Sequence, residues 1–277
     1  MKSPTWATGI LTDAAIHTAE NFPCYIFAQM HSLDYLNRLR AAEIENIIRF
    51  LPKGGRVLEL GAGTGRQSLE LSRRGLDVTA VELASSGYAS DRLFPVVDYD
   101  GIRLPFPDAS FDAVFSSNAL EHVGDLARMH AEIRRVLKPD GMCVHILPTH
   151  SWRFWSMLTS FPGAFIAMWR ALNVFVTGRP ARNAWLDAVR HVGAALLQPA
   201  HGERGHAITE LWTFRPAWWR RNFAANGFIV VHDEPMGLFY TGDLVFADHL
   251  SLAARASLAS VLGSACHLFE LRLRPMP

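Results

Sequence analysis

The feature that most constrains this fold is an apolar run that carries a carboxylate near its end and breaks into alternating glycines. The run Val57–Leu60 contains Glu59 and is followed by Gly61, Gly63 and Gly65. Short apolar runs bounded by glycine are typical of buried parallel strands. Glycine lets the backbone turn tightly and approach a ligand with no side chain between them. The sequence therefore predicts a strand followed by a cofactor-binding loop.

The spacing of the glycines narrows the choice of cofactor. A dinucleotide site of the Gly-x-Gly-x-x-Gly type needs its third glycine where this chain has Arg66. Here the third glycine comes one residue earlier, which weakens the nicotinamide interpretation. A second apolar run ends at Glu82, 21 residues after Gly61, where an acidic side chain can accept both hydroxyls of a ribose. Together these observations indicate a nucleoside ligand without phosphates.

Three further segments extend the pattern that begins at the glycine turn. They are Asp100–Asp112 (DGIRLPFPDASFD), Asn118–Val123 (NALEHV) and Leu137–Gly141 (LKPDG). In order and spacing the whole pattern resembles the class I S-adenosylmethionine-dependent methyltransferases, in particular the small-molecule type that acts in quinone biosynthesis. The resemblance covers roughly residues 45–148, so the rest of the chain is not placed by it.

The resemblance implies a set of cofactor-binding residues. These are Glu59, Gly61, Ala62, Gly63, Gly65, Glu82, Leu83, Asp100, Gly101, Ile102 and Asn118. It implies that the glycines wrap the methionine part of S-adenosylmethionine, with Glu59 near the amino group, and that Glu82 accepts the ribose hydroxyls. Asp100 would accept from the adenine amino group, and the backbone of the next two residues would face the ring nitrogens. Asn118 would lie beside the transferable methyl.

Helical and strand-like segments alternate along the chain. The predicted helices run from Ser32 to Leu51, Arg66 to Arg74, Leu126 to Leu137 and Ala217 to Ala225, and the predicted strands cover residues 57–60, 76–81, 111–116, 142–147, 228–232 and 267–273, with a turn at Pro139–Gly141. This alternation predicts an α/β fold with a doubly wound, mostly parallel sheet whose last strand is antiparallel. The resemblance implies seven strands and a Rossmann-like methyltransferase fold. Ligands bind such sheets at the carboxyl ends of the strands.

The length suits one methyltransferase domain over residues 1–277. Its expected parts are an N-terminal helical cap at 1–32, a core at about 33–149, 213–235 and 264–275, and lid insertions at about 150–212 and 236–263. Insertions at the carboxyl edge of a sheet usually form the acceptor pocket.

The first insertion is helical, aromatic and basic. Seven of the eight tryptophans follow residue 150, and Trp152–Asn222 holds nine arginines and three acidic residues. This composition indicates an amphipathic or anionic acceptor, or a membrane surface, although packing of a helical subdomain explains the aromatics equally well. The 16 uncharged residues of Phe154–Trp169 are too few to span a bilayer and are expected to be interrupted at Pro162–Gly163. Residues 152–177 are therefore predicted to form a lid or a peripheral membrane contact.

Two histidines are candidate general bases for a hydroxyl acceptor, His122 beside Glu121 and His150 after the fifth strand. A helix-start histidine bonded to backbone is the alternative for His122. The segment His201–His206 could bind a metal or a polar acceptor, but its spacing fits no helical ligand pair and no second cluster completes it. No metal ion is therefore expected. A glycine-hinged loop that folds over the acceptor, or a surface turn, is preferred.

Charge and cysteine content exclude other classes. A net charge of +1 and the segment Asn118–Glu121, in place of the Asn-Pro-Pro-Tyr of base methyltransferases, disfavour nucleic-acid substrates. Three separated cysteines and the absence of a secretory signal favour the cytoplasm or the inner face of the membrane, with the oligomeric state open. The predicted function is methyl transfer to oxygen of a small or amphipathic acceptor. The alternatives are carbon methylation of a lipophilic ring such as a quinone precursor, and a non-catalytic cofactor-binding partner subunit.

Overall fold

In a computed structural model of the chain, residues 38–177, 200–241 and 250–275 are described, together with positions 186 and 189. Seven strands of this described part form one sheet. They are β1 Arg56–Leu60, β2 Asp77–Leu83, β3 Val96–Tyr99, β4 Phe111–Ser117, β5 Leu137–Pro148, β6 Phe228–Pro235 and β7 Cys266–Leu273. Helices cover the sheet. They are α1 (residues 38–47), α2 Arg66–Arg73, α3 Leu126–Val136, α4 His150–Thr177, α5 Ala207–Thr213, α6 Pro216–Ala225 and α7 Leu252–Leu262.

The strand order is β3-β2-β1-β4-β5-β7-β6. The first five strands pair in parallel, and β7 lies antiparallel between β5 and β6. The predicted doubly wound sheet with an antiparallel last strand is confirmed. Its carboxyl edge at β1, β2 and β4 carries the glycine turn, Glu82 and Asn118.

Side chains point alternately to the two faces of each central strand. Both faces are buried, because helices cover the sheet on both sides. Val57 and Phe115 belong to a cluster that includes residues of α1, whereas Leu58 and Val114 belong to one formed with α3 and α6. A proline begins α6, as predicted, and Gly227 at φ 86° follows its end. These two layers hold the ends of β1 and β4 next to each other.

The structure corrects two predicted boundaries. The turn at Pro139–Gly141 lies inside β5, since Phe111 pairs with Leu137 and Ala113 pairs with Met142. Four residues of β5 therefore lie opposite one residue of β4, which is a bulge and not a strand end. The helix α4 also runs through Pro162–Gly163 without the predicted interruption. A proline removes only one helical hydrogen bond, and tertiary context can override its effect.

Some of the predicted segments lie outside the residues that the structure describes. The cap at 1–32, the helix start at Ser32 and most of 178–199 lie outside them. β3 was not among the predicted strands, and it ends directly before Asp100. Within the described residues, no helix combines the length and the apolar character needed to cross a membrane.

Candidate active site

The glycine turn after β1 adopts the backbone conformation that the sequence predicts. Gly61, Gly63 and Gly65 have φ values of 74°, 55° and 73°, in the left-handed region that glycine adopts most readily. The N–H groups of Gly61 and Ala62 both donate to the carbonyl oxygen of Val81, at 3.0 and 3.1 Å. The turn is therefore fastened by backbone hydrogen bonds to the end of β2.

Glu82 lies at the end of β2 and faces this turn. One carboxylate oxygen accepts from the Gly63 N–H at 2.7 Å, and the other accepts from the Leu83 N–H at 2.8 Å. An ionised carboxylate has about four lone-pair sites, so these two bonds leave capacity for further donors. The donor and acceptor pattern at this edge thus fits a ligand that brings hydroxyl groups to Glu82.

Glu59 lies one layer deeper, at the end of β1. Its carboxylate is buried and accepts from the hydroxyl of Ser68 on α2. Burial raises the pKa of Glu59 to about 7, and the nearby charge of Glu82 adds to this rise. The predicted contact between Glu59 and a ligand amino group stays a prediction.

The turn after β3 is held by Asp100. Its Oδ1 accepts from the N–H groups of Ile102 and Arg103, at 2.8 and 2.9 Å, and the bonds to these backbone groups lower the pKa of Asp100. Gly101 has a φ of 78°, and a Cβ there would lie 2.9 Å from the side chain of Leu83. The structure thus brings Gly101 and Leu83 together, whereas the adenine role of Asp100 stays a prediction.

Asn118 follows β4 with a φ of 51°, which is uncommon outside glycine. With its side-chain amide turned so that the oxygen faces the donors, Asn118 accepts from Ser117 Oγ at 3.1 Å and from Arg40 Nη2 at 3.0 Å. Arg40, on α1, also pairs with the buried Glu43 at 2.9 Å. The hydroxyl of Tyr240 in turn donates to Glu43 at 2.9 Å. A chain of buried polar contacts therefore orients Asn118.

Sequence reasoning did not find this chain of contacts. Arg40 and Glu43 are charged residues on a helix whose neighbouring positions Leu39, Ile44 and Ile47 are fully buried. A charged pair at i and i+3 beside such an apolar face was the available signal.

The short 3₁₀ turn Leu120–His122 follows Asn118 and carries two ionisable groups. Glu121 is completely buried, and neither of its carboxylate oxygens has a hydrogen-bond partner in the described part of the chain. Burial raises the pKa of Glu121 to about 8, although the charges of Arg40 and Arg204 oppose this rise. The Nε2 atom of His122 lies 3.9 Å from Glu121 Oε1, and burial lowers the pKa of His122. His122 is therefore neutral near pH 7 and able to accept a proton.

The segment 200–206 lies against this turn. The ring of His201 is 4.8 Å from that of His122 and 4.6 Å from that of Trp152, measured between centroids. Burial lowers the pKa of His201 to about 3. Two histidines that are far apart in sequence are thus brought together with Glu121.

Backbone contacts hold the segment 200–206 in place. The Glu203 N–H donates to the Glu121 carbonyl oxygen at 3.0 Å, and the Arg204 guanidinium donates to the Val123 carbonyl oxygen. A Cβ at Gly202 would lie 2.5 Å from the Glu121 oxygen, so only glycine fits there. The segment therefore covers the end of β4.

A buried ion pair joins the same segment to the insertion. Arg153 on α4 lies 2.9 Å from Glu210 on α5, and both side chains are almost fully buried. Glu210 also accepts from the Gly202 N–H at 2.7 Å. Because a buried ion pair is costly to break, this pair fixes α4, α5 and the segment 200–206 relative to one another.

Comparison with known proteins identifies the fold that carries this site. Residues 58–145, about a third of the chain, match the family model described as the methyltransferase domain. This stretch contains the glycine turn, Glu82, Asp100, Asn118 and Glu121. The chain contains a class I S-adenosylmethionine-dependent methyltransferase domain. The cofactor of this domain is S-adenosylmethionine.

Curated relatives match the same region. A demethylmenaquinone methyltransferase of Corynebacterium kroppenstedtii is 42% identical over 96 residues, which cover 34% of this chain and 42% of the relative. A sterol 24-C-methyltransferase of Gibberella zeae is 38% identical over 101 residues, covering 32% of this chain and 26% of the relative. A dimethylglycine N-methyltransferase of Parasynechococcus marenigrum is 36% identical over 109 residues, which cover 35% of this chain and 39% of the relative. The chain thus spans less than half the length of these relatives.

Solved structures share the architecture of the methyltransferase domain. A Haloferax volcanii complex of the Trm112 methyltransferase activator with a methyltransferase aligns with a TM-score of 0.53 at 16% identity, covering 91% of this chain and 97% of that one. The geranyl diphosphate C-methyltransferase of Streptomyces coelicolor aligns with a TM-score of 0.50 at 16% identity, covering 85% and 81%. At this identity the likeness establishes the fold.

His150, the second predicted base, lies apart from the group formed by Glu121, His122 and His201. It begins α4, and burial lowers its pKa, with Arg215 and His267 as the nearby charges that also lower it. None of the contacts described for the chain joins His150 to His122 or Asn118. The structure therefore brings His122, and not His150, into the group around Glu121.

Proposed function

We propose that the chain transfers a methyl group from S-adenosylmethionine to an oxygen atom of a small or amphipathic acceptor. The observation that carries the proposal is the position of Glu121 and His122, three and four residues after Asn118, at the end of the strand next to the glycine turn. A hydroxyl acceptor must lose a proton, and a neutral histidine with a lowered pKa can take it.

Each part of the domain has a separate role in the proposed reaction. Bound S-adenosylmethionine supplies a methyl group that its sulfonium already activates. Glu82 and the glycine turn hold the cofactor, Asn118 orients the acceptor beside the methyl, and His122 takes the hydroxyl proton. Such positioning lowers the barrier by several kcal/mol. The segment 200–206, which covers the end of β4, excludes water from the acceptor.

The test combines binding and turnover. Calorimetry with S-adenosylmethionine and S-adenosylhomocysteine measures cofactor binding, and methyl release is then followed on fractions of a cell extract. Mass spectrometry of extracts with and without the gene identifies the acceptor by the added methyl. We expect binding, turnover and a methoxy carbon in the product by NMR. Binding without turnover on any fraction would instead support a non-catalytic partner subunit.

Carbon methylation of a lipophilic ring is the second candidate. It is favoured by the relatives, which include a sterol 24-C-methyltransferase and a demethylmenaquinone methyltransferase. The relatives also include a dimethylglycine N-methyltransferase, so the shared segment is compatible with different acceptor atoms. A product methyl bonded to carbon would establish this candidate.

We also propose that α4 makes a peripheral contact with a lipid surface. Among the described side chains of α4, the exposed large apolar residues are Phe154, Leu158, Phe161, Trp169 and Leu172. At 100° per residue they fall within about 80° of one helix face, which forms a narrow apolar stripe. Amphipathic helices bind membranes through such stripes when aromatic residues are present. Small-molecule acceptors of amphipathic character would reach the site from the same surface.

Vesicle sedimentation tests this contact. Anionic vesicles of phosphatidylglycerol and phosphatidylcholine should retain the wild type, and Phe154→Ser with Phe161→Ser should reduce the bound fraction several-fold. Val261→Ser is the control, because Val261 is the most exposed of the large apolar side chains that the structure describes and lies on α7. An equal loss in all variants, or no binding of the wild type, would exclude the lipid contact.

A further inference from the structure

The carboxylate of Glu121 has no hydrogen-bond partner among the described residues, although it is completely buried. Buried polar groups are paired in the great majority of cases, so an unpaired carboxylate calls for a ligand or an ion. The two arginines near it are engaged elsewhere. Arg40 bonds to Glu43 and Asn118, and Arg204 donates to the Val123 carbonyl oxygen while its guanidinium lies 5.5 Å from the ring centre of Trp218.

Two imidazole rings complete a group around this carboxylate. One potential ligand atom from each of Glu121, His122 and His201 can be chosen so that all three lie within 4.8 Å of one another. The ring of His201 is brought there by the segment 200–206, which the Glu203 N–H fastens to Glu121. The sequence shows Glu121 and His122 as neighbours but gives no indication that His201 joins them.

We propose that Glu121, His122 and His201 bind a divalent transition-metal ion such as Zn²⁺. Two imidazole nitrogens and one carboxylate form a ligand set that zinc and related ions use in open sites. Bonds of about 2.0–2.2 Å bring ligand atoms to roughly 3.5 Å from one another, so the group must contract by about 1 Å. The side chain of His122 is 43% exposed, which leaves it room to rotate. This inference reverses the sequence-based expectation that no metal binds.

The role of the ion in the reaction rests on the proposed function, whereas the metal site itself does not. With three protein ligands, the ion keeps a coordination position for an oxygen of the acceptor. A metal lowers the pKa of a coordinated hydroxyl. With the metal bound, the ion would lower the pKa of the acceptor hydroxyl so that its proton leaves to solvent, and His122, engaged as a ligand, would not accept that proton. The acceptor class is then a hydroxyl compound able to coordinate a cation, such as a vicinal diol or a catechol.

The first experiment measures metal binding without turnover. The full chain is treated with a chelator, dialysed and titrated with Zn²⁺ in a calorimeter, and Co²⁺ absorption reports the ligand geometry. We expect one site per chain. Glu121→Gln and His201→Gln should each weaken Zn²⁺ binding by about a hundredfold. Glu121→Gln is informative because glutamine preserves the shape of a protonated glutamate but is a poor zinc ligand.

The matched control is His206→Gln, which alters an exposed histidine of the same segment and should leave Zn²⁺ affinity unchanged. Affinity for S-adenosylhomocysteine, measured for every variant, shows that the fold persists. Unchanged Zn²⁺ affinity in Glu121→Gln and His201→Gln, or no binding by the wild type, would overturn the metal site.

A second arm separates this inference from the proposed function. Methyl release to the acceptor is measured with and without chelator, and with Zn²⁺ restored. Zn²⁺ binding that depends on Glu121, together with no turnover of any hydroxyl acceptor, would keep the metal site and remove the proposed function. Turnover that is unaffected by the chelator, in a chain that binds no Zn²⁺, would keep the function and remove the site.

Discussion

The two halves of the site are built in different ways. The half proposed to bind the cofactor (the cofactor half), residues 59–103, comes from one stretch of chain, and backbone groups make most of its contacts. The half proposed to bind the acceptor (the acceptor half) combines the end of β4 with Arg40, the segment 200–206 and Tyr240, and side chains make most of its contacts. A half built from local backbone can be recognised in a sequence, whereas a half built from distant side chains becomes visible only in the fold.

The halves also differ in how their acidic groups are satisfied. Glu82 accepts from two backbone N–H groups and Asp100 accepts from two others. Glu121, in the acceptor half, has neither oxygen paired within the described residues. Glu82 and Asp100 are therefore satisfied by backbone groups in this geometry, while Glu121 needs a proton or a ligand to stabilise it. Four predictions test this difference.

The largest expected effect is a pH-dependent loss of unfolding free energy that Glu121 causes when a chelator keeps the protein free of metal. Its folded pKa of about 8 lies above the ordinary value of 4.5, so the folded state favours the protonated carboxyl. The stabilisation by the protonated carboxyl is fully present at pH values below the ordinary pKa, and it is lost as the pH rises through the pKa of the folded state. Relative to Glu121→Gln, the wild type should lose on the order of 3–5 kcal/mol of unfolding free energy.

Urea denaturation over a series of pH values measures this loss. Glu203→Gln is the control, because Glu203 is exposed on the segment 200–206 and should parallel the wild type. Parallel curves for the wild type and Glu121→Gln would show that Glu121 is already satisfied, and the contrast between the halves would disappear.

Gly61→Ala should be the next most damaging change. Its φ of 74° strains any other residue, and an added Cβ would lie 2.5 Å from the Cβ of Ala119. Strain and overpacking together predict a cost of about 2–5 kcal/mol in unfolding free energy. The control Gly54→Ala shares the strain, with a φ of 67°, but has no atom within 4 Å. An equal loss of unfolding free energy in Gly61→Ala and Gly54→Ala would contradict the close contact between Gly61 and Ala119, which joins the two halves.

His122→Ala should slow an oxygen-directed reaction on the order of a hundredfold or more, because it removes the proton acceptor or metal ligand. Affinity for S-adenosylhomocysteine should stay unchanged, since His122 belongs to the acceptor half. Single-turnover kinetics and calorimetry measure the two effects, with His206→Ala as the control. A rate equal to that of the wild type would return His122 to a structural role.

Glu82→Ala should weaken cofactor binding by about 1–3 kcal/mol, the usual scale for losing a charged hydrogen-bond partner. Calorimetry with S-adenosylmethionine measures the change. Asp98, which pairs with Glu82 in register on the neighbouring strand, provides the control Asp98→Ala, with no expected effect. Unchanged affinity in Glu82→Ala would remove this residue from the cofactor half.

The cofactor half could be anticipated because its conformation follows from local rules. Alternating glycines allow the positive φ values of a tight turn, and an acidic residue at the end of an adjacent parallel strand lies beside that turn. The antiparallel last strand could be anticipated from the alternation of residues 267–273. The bulge in β5 could not, because its register is set by the pairing of Leu137 with Phe111 and not by the turn residues themselves.

The acceptor half could not be anticipated for a related reason. The bond from Arg40 to Asn118 and the approach of His201 to Glu121 each join segments that pack together only in the folded chain. The helix α4 passes through Pro162–Gly163, although the local preference of these two residues is to interrupt a helix. Sequence patterns carry periodicity and turn chemistry, but they do not carry the pairing of distant side chains.

The place of β7 between β5 and β6 has a consequence for biosynthesis. β6 has no other neighbour in the sheet, and β7 follows it by about thirty residues. While the ribosome makes those residues, the nascent chain carries β6 as an open strand that can associate with other chains. Tyr240 of the acceptor half lies between these two strands, so this half is completed only after translation has passed β6, whereas the cofactor half, residues 59–103, is synthesised much earlier.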